Sequence, residues 1–284
     1  MLKRILALPP VSFGLELAAA YGRVGISRSA AALAYFLILT LFPLLMCVNW
    51  FIGRFHLSLE ALLAGLEQVL PSDVLALLGD YLGYVSLSQS PALLAASLFT
   101  LVVSASAGLR ALLLTMDQLY QVAHPHPVAR FLLSILLSVL LLLTIYLSAA
   151  VLFTGDWFFQ LLEERLPAAF LLHISLGALA QLWRRLRYLL LFSIFLLLVL
   201  LIYRFSIPRS LIGGRVMVVF ALLAALAMAV CSAVFSVFLS LSSRYALVYG
   251  SLASLIILLV WLYLCGIILL LGAAAARVWT GRRR

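Results

Sequence analysis

The side chains able to do covalent or metal chemistry are few in this chain, and they are scattered. Hydrolysis of a phosphodiester by a bound metal needs Asp, Glu or His ligands clustered around the ion. Of His56, His124, His126 and His173, only His124 and His126 are neighbours, and they flank Pro125 in a loop. No HxHxDH-like cluster occurs, which argues against a ribonuclease. No catalytic residue, metal ligand or cofactor is assigned. A GxxxxGK[ST] phosphate loop is absent too, so ATP-driven pumping by this chain alone is not expected. Cys47, Cys231 and Cys265 all lie inside apolar runs and are odd in number, so they read as small buried hydrophobes and not as a disulfide or metal set.

Ion- or proton-coupled transport usually needs ionisable groups inside the membrane. The centres of the apolar runs carry no Asp, Glu, Lys, Arg or His, which excludes a midplane carboxylate relay. What remains polar there is hydroxyl and amide. Tyr35, Phe42 and Asn49 recur every seven residues and share a helix face around Pro43, which removes one backbone hydrogen bond and kinks its helix. Ser97, Thr100 and Ser104 form one stripe and Ser232, Ser236 and Ser240 another, with Thr40, Tyr146 and Tyr263 as isolated polar groups. These stripes have two readings. Small hydroxyls let helices approach and bond to neighbouring carbonyls. Alternatively, Tyr35, Pro43, Asn49 and the two stripes line a weakly polar groove for a lipid headgroup whose tails stay in the bilayer. Arg110, Asp117 and Tyr120 are polar candidates at the inner edge, with Arg110 and Asp117 on one face about 10 Å apart. Gly250, Trp261 and Gly272 read as packing residues.

The elements that must position these groups follow from composition. The chain has 284 residues, 67% hydrophobic and 10% charged, with mean hydropathy +1.25. A soluble domain carries about 25% charged residues. Long apolar runs of this kind specify an all-α integral membrane protein, because only helices satisfy backbone polar groups in such runs. The runs are far longer than the ~10-residue alternating segments of an outer-membrane barrel. Ala30–Phe51 is one such run, and at ~1.5 Å per residue it can cross a ~30 Å hydrocarbon layer.

Six spans are expected, at about 30–52, 91–109, 130–154, 188–203, 216–241 and 247–276. Residues 1–29 are a basic tail in which Ser12–Tyr21 could form an interfacial helix, with Ser27 or Ser29 capping the first span. Lys3 and Arg4 precede only a short ILAL before Pro9-Pro10, too short for a cleaved signal, so the chain is expected to be retained whole. Gly53–Ser90 carries Glu60, Glu67, Asp73 and Asp80 with apolar residues at helical spacing, which predicts two amphipathic helices at the outer face. A helix through Arg110, Asp117 and Tyr120 is expected to emerge from the second span and end at Pro125 and Pro127. The segment 167–183 reads as re-entrant, interfacial or a seventh span. Residues 277–284 are a second basic tail.

The net charge of +10 lies near the ends of apolar runs, which fits an anionic inner leaflet and not a nucleic acid. With six spans and both ends inside, 13 Lys and Arg are inside and 6 outside, and seven of nine acids are outside. Seven spans give a split of 10 against 9, so the bias selects six. Membrane lipids are the expected partners, with a homo-oligomer or an envelope complex left open.

The stretches SAAALAYFLILTLFPLL (Ser29–Leu45), GLRALLLTMDQLYQV (Gly108–Val122), LIYRFSIP (Leu201–Pro208) and YGSLASLIILLVWLYLCGIILLLGA (Tyr249–Ala273) resemble the YihY/BrkB family of bacterial inner-membrane proteins. The resemblance implies a six-helix bundle in the cytoplasmic membrane with both termini inside. Some members carry an old ribonuclease BN label and others a virulence or serum-resistance label; a transporter role for an envelope lipid is the usual expectation. The chain departs from the family pattern in two places. Ala273–Ala276 stand where a Glu and an Asn usually follow the Gly of the last span. Arg28 stands where many members have an acid. Any ion or proton chemistry of those groups is not available to this chain. The reading drawn is a non-enzymatic transporter or flippase-like protein for an amphipathic envelope molecule, working without an intramembrane charge relay. The alternative is a non-transporting scaffold or partner subunit.

Overall fold

A backbone without water must satisfy its amides internally, and in the computed structural model the chain does so with helices alone among the described residues. These are residues 9–55, 90–122, 127–165, 176–208, 210–241 and 252–283. In order they form α1 (Pro9–Val24), α2 (Ile26–Phe55), α3 (Pro91–Tyr120), α4 (Pro127–Arg165), α5 (Leu176–Ser206), α6 (Gly214–Leu241) and α7 (Leu252–Arg283). Six of them, α2 to α7, are long and apolar enough to cross a membrane. Their outward flanks carry large apolar side chains such as Phe99, Tyr146 and Val234, 72%, 72% and 63% exposed. A continuous apolar exterior of this kind belongs against lipid. The expected amphipathic outer helices fall mostly on 56–89, outside the described residues, as do all four histidines, Gly250 and the side chains of Asn49 and Ser240.

The helix ends differ from expectation in three places, each for a local reason. Ser27 and Ser29 do not cap the first span. The break lies at Gly25, whose φ of +68° closes α1 and lets α2 start at once with Ile26. Both serines therefore sit inside α2 and face other helices. The C-terminus of α3 is set by Gln121 and not by the prolines beyond it. Gln121 takes φ 55°, its N–H bonds the Gln118 carbonyl, and the Val122 N–H bonds the Asp117 carbonyl, the paired bonds of a Schellman end. Finally, α5 begins at Leu176 and runs unbroken through Arg184, Arg185 and Arg187, so the second half of the ambiguous 167–183 segment is part of that helix.

The chain divides into two compact units. One comprises residues 139–198, the later part of α4 and the earlier part of α5. Within it Thr144 and Ser193 return their hydroxyls to the carbonyls of Leu140 and Leu189, and the buried Arg187 places its guanidinium 5.1 Å from the Tyr188 ring centroid.

The other unit holds α1, α2, α3, α6, α7 and the remaining parts of α4 and α5. α2 packs on α3 through Leu33 and Phe36 at the glycine at 108, where a Cβ would lie 3.1 Å from Phe36 Cβ and 3.3 Å from Leu33 Cδ1. It crosses α7 at Gly266, where a Cβ would lie 3.1 Å from Ala30 Cβ. Small residues at such crossings are what close helix approach in a membrane requires. α7 is the common partner. Ser27 of α2 shares a hydrogen bond with Tyr263 (2.7 Å), Tyr120 of α3 donates to the Ala273 carbonyl (2.7 Å), and Tyr203 of α5 donates to the Leu269 carbonyl (2.6 Å). Trp261 donates its indole N–H to Ser232 of α6 at 3.1 Å.

Candidate functional site

Three helix ends meet where α7 finishes. α1 arrives there because Gly25 turns it away from α2, α3 stops there at Gln121, and α7 carries its last two turns past both. Between them lies a cavity of about 650 Å³, within the range of small-ligand sites. Its apolar wall includes Ala20, Leu119, Ile212 and Val278. Its polar wall is Arg23, Arg277 and Arg282 against the single acid Glu16, with Gln118 and Gln121 beside them. The cavity is therefore cationic and amphipathic.

Each arginine is held differently. Arg282 is forked onto Glu16, with Nη2 2.6 Å and Nε 3.2 Å from Oε1, and it also donates to Ser12 Oγ at 2.7 Å. The Arg282 hydrogen bond holds the Glu16 carboxyl below the usual carboxylate range. Arg277 lies over the face of Tyr120, 5.6 Å from the ring centroid, a cation–π contact that fixes its guanidinium at the cavity wall. Arg23 is exposed on α1 and makes no ion pair with a described residue. Nearby on α3 the positive character continues. Asp117 pairs with the buried Arg130 of α4, and Arg110 sits 4.8 Å from the Phe131 centroid.

The sequence-derived candidates distribute as follows. Ser97 is buried and donates to the Leu93 carbonyl at 2.8 Å, with Met46 Sδ of α2 at 3.2 Å. Thr100, in the same stripe, faces outward and returns its hydroxyl to the Ala96 carbonyl at 2.9 Å; Ser104 is half-buried. Ser232 meets Trp261, while Ser236 is exposed. Tyr35 is 55% exposed beside Phe36, and Pro43 is buried inside α2. Of the inner-edge set, Arg110 and Asp117 engage α4, and Tyr120 lines the cavity. Gly272 is a packing position: a Cβ there would lie 2.5 Å from Tyr203 Oη and 2.9 Å from Ala224 Cβ. The alanines that follow it, Ala273, Ala274 and Ala276, are fully buried, with the Ala273 carbonyl accepting from Tyr120 and Ala274 in the cavity lining.

Sequence reading missed the convergence of Glu16, Arg23, Arg277 and Arg282, which it placed in two separate basic tails, Glu16 within a possible interfacial helix. One signal was present: Glu16 is the only acid before Glu60 in a basic N-terminal region. No metal-binding group of His, Cys, Asp or Glu occurs among the described residues.

Comparison with known proteins adds to this geometry. The signature of the family described as Virulence factor BrkB matches residues 17–284, nearly the whole chain. The chain belongs to this YihY/BrkB family. A ribonuclease-like protein of Bacillus subtilis (strain 168), YfkH, is 25% identical over 263 residues, covering 92% of this chain and 93% of YfkH. No solved structure matches. BrkB family membership makes this a multi-pass membrane protein whose family is not catalytic, and the name of a relative at 25% identity establishes no enzymatic activity.

Proposed function

We propose that this BrkB family protein moves an amphipathic envelope molecule across the bacterial cytoplasmic membrane, with both termini in the cytoplasm and no intramembrane charge relay. The carrying observation is the cationic, amphipathic cavity at the Arg-rich end of helices whose flanks are suited to lipid. A molecule with a polar head and apolar tails meets matching surfaces there without crossing a charged interior. The test is translocation of fluorescent phospholipid analogues in proteoliposomes, read by quenching of the outer leaflet. Faster loss of protected signal than in protein-free vesicles is expected. A rate equal to protein-free vesicles for every analogue, with unchanged lipid asymmetry in cells lacking the protein, overturns the reading.

A second reading has its own support: Ser97, Thr100, Ser106, Ser134 and Ser138 all return hydroxyls to carbonyls of their own helices, as packing residues would. Under it the protein is a scaffold or partner subunit of an envelope complex. It then co-purifies with a stable partner and tolerates Tyr35→Phe and Asn49→Ala without loss of function.

A further inference from the structure

We infer that the α1–α3–α7 cavity is a binding site for a net-anionic phosphate headgroup, one without a compensating cation such as choline, and that Glu16 is a built-in competitor that holds Arg282 until such a headgroup arrives. The choice of a lipid over a free anion rests on the lipid-handling reading; the anion site itself does not. Three guanidinium groups line one cavity, and guanidinium is the side chain whose planar fork matches phosphate oxygens in paired hydrogen bonds. Among the described residues only one of the three, Arg282, is paired with a carboxylate, and that carboxylate is also in the cavity wall. Glu16 accepts from Arg282 in the two-pronged manner that a phosphate would, from Nη2 and from Nε. Both members of that pair are substantially exposed, 28% for Arg282 and 50% for Glu16, so exchanging the carboxylate for an incoming phosphate needs no rearrangement of the core. Arg277 is already held on the Tyr120 face, and Arg23 stands across on α1. A phosphate seated between them has its acyl chains beside Leu119, Ile212 and Val278.

The experiment uses the full chain in nanodiscs of zwitterionic phosphatidylcholine. Short-chain phosphatidic acid, short-chain phosphatidylcholine and inorganic phosphate are added in turn, and retained lipid is counted by native mass spectrometry. Retention of phosphatidic acid over phosphatidylcholine by about tenfold is expected, the value of one charge-assisted hydrogen-bond set. Arg23→Gln and Arg277→Gln should each lower that preference, and Glu16→Gln should raise it. Arg277→Lys keeps the charge while losing the fork, so it should retain part of the preference; this variant also reads the site should Arg277→Gln fail to fold. Equal retention of the two lipids, or a preference unmoved by both Arg23→Gln and Arg277→Lys, overturns the site. A preference unmoved or lowered by Glu16→Gln overturns the competitor role. Displacement of the lipid by millimolar inorganic phosphate overturns the lipid assignment in favour of a free anion. Translocation and retention fail separately. Retention without translocation removes the transport reading and leaves this site, whereas translocation with no arginine-dependent retention does the reverse.

Discussion

A Cβ at position 272 has nowhere to go, because Tyr203 Oη and Ala224 already fill the space. Tyr203 is fully buried and its hydroxyl is anchored on the Leu269 carbonyl, so it cannot swing aside cheaply. Gly272→Ala should therefore cost about 1–3 kcal/mol, the range for overpacking. Tyr203→Phe removes one interhelical hydrogen bond and should cost about 0.6 kcal/mol. The double variant should be more stable than the sum predicts by about 1 kcal/mol, since loss of the hydroxyl makes room for the methyl. Strict additivity in detergent unfolding measurements would show that Gly272 does not serve Tyr203. Glu16 gives a second residue-scale prediction, with its sign fixed by the direction of its shift. Its carboxyl is depressed below the ordinary value of 4.5 by Arg282, so the pair stabilises the docking of α1 above that value. The stabilisation is lost as pH falls through the depressed folded value. A spin label at Ala18 should gain mobility on acidification below about pH 4.5, less so at high salt where exposed pairs are screened. Glu16→Gln should abolish the pH dependence, and a wild-type label equally mobile from pH 7 to pH 3 contradicts the contact.

At the scale of elements, Pro43 sits inside the 30-residue α2 and leaves the Leu39 carbonyl without its helical donor. An interior proline costs an unconstrained helix ~3 kcal/mol relative to alanine. Pro43→Ala should thus hold or raise stability by some fraction of that amount, while slowing lipid translocation in proteoliposomes because the break in the α2 hydrogen-bond ladder is closed. A variant with lower stability and full translocation would make the proline a packing residue only. The six apolar helices were legible because their runs are long and free of charge, and hydropathy alone locates such runs. Their ends were less legible. Gly25 carried a readable signal, a glycine between two helical segments, yet Ser27 and Ser29 drew the attention as caps. They instead bond Tyr263 and, for Ser29, Thr115 of α3. Gln121 carried none, since glutamine rarely takes a left-handed backbone. The cavity was illegible for a different reason: Glu16 and Arg282 meet across 266 residues, and no local pattern encodes that meeting.

For the whole molecule, orientation decides which leaflet can supply the cavity. Arg23, Arg110, Arg130, Arg277 and Arg282 sit on the helix-end segments that were counted as inside from the sequence, while Ser90 starts α3 at the opposite end of that helix. Basic residues flanking spans stay on the cytoplasmic side, where each is favoured by about 1 kcal/mol near an anionic surface. On the proposed orientation, with both termini in the cytoplasm, the α1–α3–α7 cavity is in reach of inner-leaflet headgroups and an even number of crossings lies between α1 and the end of α7. The check is labelling of single added cysteines with a membrane-impermeant maleimide. Gly14→Cys and Gly281→Cys, at open positions where a side chain meets nothing, should react in inverted vesicles and not in spheroplasts. Ser90→Cys, exposed at the start of α3, should do the opposite. The native cysteines give little background, because Cys47 is buried and Cys231 and Cys265 are half-buried in apolar helices. Gly14 and Gly281 reacting from opposite sides would require an odd number of crossings. Reaction of both from outside would keep the bundle but turn the cavity to the outer leaflet, so the supply of headgroups, and with it the direction of any transport, would reverse.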